Sequence, residues 1–162
     1  MTLIAVCGKG RNCPRSLSDL AFDVGWVLGH TEGVVVVTGG LGGVMAAAAH
    51  GAFGCGATTI SLIPEGREDD AHGHTDLALR TGLTIPFRNA LLGSMVDGAI
   101  ICPGSHGTVQ EAMVIVERGV PVVATGDHHG YLSDALELPH HEDPAAAVGL
   151  LAHLLALAAP VP

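Results

Sequence analysis

The sequence predicts an α/β fold: a single three-layer sandwich over residues 1–162, with helices covering both faces of a parallel central sheet. Three observations predict it. Short β-branched runs alternate with longer stretches of helical period along the chain. Val34-Val35-Val36-Val37 is an uninterrupted apolar run, the pattern of a strand covered on both faces. Three glycine-rich segments each fall between a strand-like run and a helical one, where such a sheet builds its ligand crevice.

The elements follow in order. Residues 3–7 form a first strand. Residues 16–30 carry Leu17, Leu20, Ala21, Val24, Val27 and Leu28 at helical spacing, with Ser16 or Ser18 as candidate caps. The valine run is the second strand, and residues 44–53 are an alanine-rich helix. Residues 57–63 are a third strand, closed by Pro64. Residues 65–75 are polar and charged and read as an exposed excursion. Residues 83–87 are expected as a fourth strand and 88–96 as a short helix. Residues 99–102 form a fifth strand, followed by a helix from about Gly107 to Arg118. Residues 120–124 are a sixth strand. Asp143-Pro144 opens the last helix, with Asp143 as its cap and Pro144 at the first helical position.

The 162 residues suffice to bury a core without disulfide or metal staples. With 48% hydrophobic residues the chain is not disordered. Seven cations against 16 acids give a net charge of -9, which argues against nucleic acid and anionic membrane as partners. Lys9 is the only lysine. The N-terminus has no cationic flank, and the longest apolar run, residues 145–159, is too short to span a bilayer and contains His153. The expected location is cytoplasmic. Cys7, Cys13, Cys55 and Cys102 form no CxxC pair, so neither a zinc knuckle nor a disulfide framework is expected. Cys7 and Cys102 end apolar runs and read as small buried hydrophobes.

The glycine-rich segments are Gly8-Lys9-Gly10, Thr38-Gly39-Gly40-Leu41-Gly42-Gly43 and Pro103-Gly104-Ser105-His106-Gly107-Thr108. Glycine permits close backbone approach, so loop amides and a following helix N-terminus can cradle an anion without a lysine patch. One such loop would be explained by tight turns alone, but three at one sheet edge favour a ligand. The familiar nucleotide motifs are absent: there is no GxxxxGK[ST], and the first loop lacks the third glycine of GxGxxG. Pro103 replaces the first glycine of a GxSxG elbow, and no triad partner for Ser105 is identifiable.

The second loop, continued by Val44-Met45, resembles that of the Lonely Guy (LOG) proteins and the molybdenum-cofactor carrier proteins, once labelled lysine decarboxylases. Pro103-Gly104-Ser105-His106-Gly107-Thr108-Val109-Gln110-Glu111 is similar to their PGGxGTxxE signature, with Ser105 in place of a glycine. Arg88-Asn89 resembles the arginine these proteins set opposite that glutamate. The resemblance runs from Leu3 to about Ala124 and is closer to the short, carrier-like branch. It implies a Rossmann-like fold, usually a homodimer, that binds a phosphorylated nucleotide or the molybdenum cofactor. The implied ligand-binding residues are Gly8, Lys9, Gly39, Gly40, Gly42, Gly43, Met45, Asn89, Gly104, Ser105, His106, Gly107 and Thr108. In LOG enzymes the arginine and glutamate serve cleavage of the N-glycosidic bond of a nucleoside 5′-monophosphate, so Arg88 and Glu111 are the candidate catalytic pair. Glu111 would stabilise positive charge on the ribose and orient water, and Arg88 would make a forked contact to phosphate or ribose.

Plainer explanations stand beside these. Glu111 can be a carboxylate favoured by the helix dipole, and Arg88 a solvated arginine. Lys9, Arg11 and Arg15 share the first loop, where they would attract an anion or simply be solvated. His72-Gly-His74, Asp127-His128-His129 and His140-His141 lie in polar stretches without HExxH spacing, so surface histidines are expected and no metal site is assigned. Asp127-His128-His129 is a minor candidate for the pocket border. Val148, Leu151, Leu154 and Leu155 read as core or dimer contacts. The leading expectation is a binding or carrier protein. A nucleoside 5′-monophosphate phosphoribohydrolase and a regulatory module with a vestigial pocket are the alternatives.

Overall fold

Seven parallel strands form one sheet in the order β4-β3-β2-β1-β5-β6-β7. The computed structural model describes residues 1–127 and 136–158. The strands are β1 (Thr2–Cys7), β2 (Val34–Thr38), β3 (Thr59–Ile63), β4 (Leu77–Arg80), β5 (Gly98–Ile101), β6 (Val122–Thr125) and the two-residue β7 (His140–His141). Among the described residues the long helices are α1 (Arg15–Gly29), α2 (Val44–Gly54), α3 (Ile85–Met95), α4 (His106–Glu117) and α5 (Pro144–Ala158). β1 pairs with β2 on one side and β5 on the other. The strand order therefore reverses at β1 and opens a crevice over the carboxyl ends of β1 and β5.

Alternation along the strands divides the core in two. Ile4, Val6 and Val36 pack under α1, α2 and α5 with Val24, Ala48 and Leu151. Ala5, Cys7, Val35 and Val37 pack under α3 and α4 with Leu92, Ala112 and Ile115. The valine run is continuous because consecutive residues enter different cores. α1 and α2 approach closely: a Cβ on Gly25 would collide with the Ala48 carbonyl. At the amino ends of the strands, Asp97 Oδ2 accepts the Leu3 amide at 2.8 Å while the Asp97 amide donates to Leu3 O at 2.8 Å, fixing the start of β5 against β1.

Three local expectations need correction. Residues 83–87 are not a strand: the fourth strand is Leu77–Arg80, and α3 begins at Ile85. Pro86 explains the difference, since it lacks an amide for a ladder but suits a first helical turn. Neither Ser16 nor Ser18 caps α1, whose N-cap is Pro14 without a side-chain bond. His140-His141 is not loop but β7, paired with Ala124 and Thr125. His128 and His129 lie outside the described residues. Among the described residues no helix is long and apolar enough to cross a membrane.

Asp143 does cap α5: its Oδ2 accepts the Ala146 amide at 2.8 Å. Asp143→Ala should cost about 1 kcal/mol, read as a lower urea midpoint at unchanged slope. Val148 and Leu151 of this helix are buried, and Leu154 and Leu155 pack against the same core.

Candidate functional site

The three glycine-rich loops meet above β1. The Lys9 amide donates to Pro103 O at 3.2 Å, and the Val44 amide donates to Lys9 O at 2.9 Å. The first loop is thus held between the second and the third. Gly43 has a φ of 66°, and a Cβ there would strike the Lys9 carbonyl, so contact between the two loops requires glycine. A Cβ on Gly104 would overlap the Thr108 side chain, which keeps the turn into α4 equally tight. Gly43 and Ser105 are the N-caps of α2 and α4; neither end has a side-chain cap, and neither first turn contains an acid. Ser105 accepts the Thr108 and Val109 amides through its backbone carbonyl. These helix ends therefore offer positive partial charge to an anion.

Arg88, in the first turn of α3, reaches under the second loop. Its Nη1 donates to Leu62 O at 3.4 Å and its Nη2 to Glu111 Oε1 at 3.3 Å. The two side chains are 3% and 9% exposed, so the pair is screened from water. Gly39 is the surface against which the guanidinium rests: a Cβ there would overlap Nη1 and sit 2.7 Å from Cζ. Met45 fills the neighbouring space, its Sδ 2.8 Å from the same position and its Cε 3.2 Å from a Cβ on Gly10. Arg88 Nε and Asn89 Oδ1 are buried and have no protein partner. Unpaired polar atoms of this kind are costly unless a ligand or water meets them.

Burial pushes the Glu111 carboxyl above its ordinary value, and the Arg88 guanidinium opposes that shift without cancelling it. Burial, reinforced by the charge of Glu111, holds the Cys7 thiol well above its usual range. Cys102 is pushed up to about 12 by burial. Both thiols remain protonated and unreactive near neutral pH.

Gly8, Gly39, Gly40, Gly42, Gly43, Met45, Arg88, Gly104, Thr108 and Glu111 therefore gather around this crevice, and Asn89 is buried beside Arg88 in α3. Ser105, His106 and Gly107 form its exposed lip at the start of α4, and Lys9 is half-buried in the first loop. Arg11 and Arg15 are exposed; Arg15 lies 3.8 Å from Asp19 on its own helix.

His72 is not the surface histidine that its polar surroundings predict. The excursion folds back onto the second loop, and the His72 amide donates to Gly40 O at 3.2 Å. His72 Nε2 lies 3.3 Å from Thr38 Oγ1 and 3.2 Å from Ser61 Oγ, while the Gly40 amide donates to Thr38 Oγ1 at 3.2 Å. Burial first, then the charge of His74, lowers its pKa. The available signal was Pro64: a segment leaving the carboxyl end of β3 starts at the same sheet edge as the glycine loops.

A cleft of about 480 Å³ lies beside the crevice, between α1 and α2. Gly10, Asn12, Cys13, Gly43, His50 and His74 contribute to its lining, whereas Arg88 and Glu111 do not. Among the described residues no three His, Cys, Asp or Glu side chains gather to hold a metal ion.

This architecture is shared with known proteins. The molybdenum cofactor binding protein of Rippkaea orientalis superposes with a TM-score of 0.85 at 26% identity, over 95% of this chain and 97% of that one. The molybdenum cofactor carrier protein of Chlamydomonas reinhardtii gives 0.83 at 26%, over 96% and 98%. An uncharacterized protein of Archaeoglobus fulgidus is 30% identical over 121 residues, 75% of this chain and 78% of that protein. DNA processing protein A of Helicobacter pylori, described for its single-stranded DNA binding, shares the fold with a TM-score of 0.74 at 17% identity, over 94% of this chain and 80% of that one. The model of the SLOG cluster4 family matches residues 1–148, and the chain belongs to that family.

Proposed function

We propose that the protein binds a phosphorylated small molecule of nucleotide or molybdopterin type across the three glycine-rich loops, and holds it without turnover. The observation that carries this reading is the junction of the loops at two helix N-termini that have neither a side-chain cap nor an acid in the first turn. A phosphate there meets backbone amides and positive helix ends. Similarity to the two molybdenum cofactor proteins supports a pterin-bearing ligand as cargo. The orphaned Arg88 Nε and Asn89 Oδ1 suit a polar ligand or an ordered water at the same edge. With a net charge of -9, a small anion held by local amides is a better partner than DNA.

The contact between Arg88 and Glu111 supports a second reading, phosphoribohydrolase activity. There Glu111 would meet the cationic ribose and Arg88 the phosphate or a hydroxyl. The burial of both side chains, and their mutual contact, favour the binding reading. Incubation with adenosine 5′-monophosphate, followed by chromatography, is expected to release no base while the melting temperature rises. Base release abolished by Glu111→Gln would establish the hydrolase instead. Gly104→Val is expected to abolish the thermal shift with phosphate; a shift that persists would place the anion elsewhere. Exposed Ile85, Phe87, Met113 and Val116 on α3 and α4 support pairing of two copies, readable by light scattering. We assign the protein to the cytoplasm as a single-domain carrier.

A further inference from the structure

We propose that the cleft between α1 and α2 seats a flat heteroaromatic group of the ligand, with the stacked His50–His74 pair as its wall. This rests on the phosphate-binding reading above and extends it to the other half of the molecule. His50 and His74 stack with ring centroids 4.1 Å apart and planes 13° apart. The Phe22 ring meets His50 edge-on at 5.3 Å and 81°, and Phe53 flanks His74 at 6.5 Å. The pair is thus braced by neighbours on both sides. Ala46 and Ala47 also line the cleft and extend no side chain past Cβ. Asn12 and Ser18 supply an amide and a hydroxyl for the polar edge of a ring.

Position and size agree with this assignment. Gly10 and Gly43 belong to both the cleft and the loop junction, so one ligand spans the two: its phosphate meets the helix ends and its ring enters the cleft. A volume of about 480 Å³ falls within the range of small-molecule sites. Burial, then the charge of His50, lowers the pKa of His74, which favours its neutral, less hydrated ring beside an aromatic ligand.

The test compares inorganic phosphate, ribose 5-phosphate, adenosine 5′-monophosphate and guanosine 5′-monophosphate by calorimetry on the full chain. The two nucleotides are expected to bind about tenfold more tightly than ribose 5-phosphate, in keeping with base–aromatic stacking. His74→Ala and His50→Ala should erase that preference while ribose 5-phosphate binding stays unchanged; His50→Phe should retain it. Alkylation of Cys13 at mildly alkaline pH gives a second readout, with Cys55, which lies outside the cleft, as internal reference. The nucleotides should protect Cys13 and leave Cys55 unaffected; ribose 5-phosphate should protect neither. Equal affinity for nucleotides and ribose 5-phosphate overturns the proposal and leaves the phosphate site intact. So does a preference that survives both alanine variants with Cys13 unprotected. Failure of all four compounds to bind overturns the phosphate-binding reading and this proposal together.

Discussion

Gly39→Ala should destabilise the protein by about 3–5 kcal/mol, the range for breaking a buried ion pair. At this chain length that corresponds to a fall in Tm of roughly 6–20 °C. The added methyl occupies the place of Arg88 Nη1, and the guanidinium has no small adjustment available. Met45 closes one side, and the Leu62 carbonyl and Glu111 hold the two terminal nitrogens. Displacing Arg88 leaves a buried carboxylate unpaired. Gly54→Ala is the contrast, since a Cβ there meets nothing within 4 Å and its backbone is helical. That change is expected to be neutral or slightly stabilising. Thermal unfolding of both variants checks the contrast, and a neutral Gly39→Ala would mean that Arg88 does not rest on this loop in solution.

Arg88→Met should produce a loss of similar size with a distinctive pH dependence. Glu111 is raised above 4.5 in the folded state because burial outweighs the guanidinium beside it. A carboxyl raised on folding favours the folded state fully below its unfolded pKa, and that contribution is lost as pH rises through the folded value. Removing Arg88 removes the opposing charge, so the folded value climbs further and the penalty grows from mild acid to pH 8. Denaturant unfolding should show about 3–5 kcal/mol lost at pH 8 and distinctly less near pH 5. Adding Glu111→Leu to this variant should recover most of the loss, because no charge then remains buried. A loss independent of pH would show that the missing packing of the side chain, and not the stranded carboxylate, dominates.

The legible parts of the fold were those encoded by short-range pattern. The valine run, the glycine loops and Asp143-Pro144 each carry their own signal within a few residues. The fourth strand is not legible because residues 83–87 have strand-like composition, while Leu77–Arg80 looks like the end of a polar excursion. All four residues of β4 are exposed, so no burial pattern marks them. The grouping of Arg88 with Glu111 was expected from resemblance, whereas their near-complete burial was not legible. Burial depends on Gly39 and Met45, which lie more than 40 residues from Arg88 in sequence. The role of His72 was hidden for a similar reason. Its partners Thr38, Gly40 and Ser61 lie on two other segments, and a polar histidine-containing stretch has no local pattern that separates an anchored residue from a solvated one.

β1 has one further consequence. It is hydrogen-bonded to a strand on each side, and its successive side chains enter opposite cores. Neither half of the molecule can melt while leaving this strand in place. The amides of β1 are therefore protected by the global unfolding free energy and not by local opening. The first glycine loop hangs from the end of this strand, so its anchor is as durable as the fold itself.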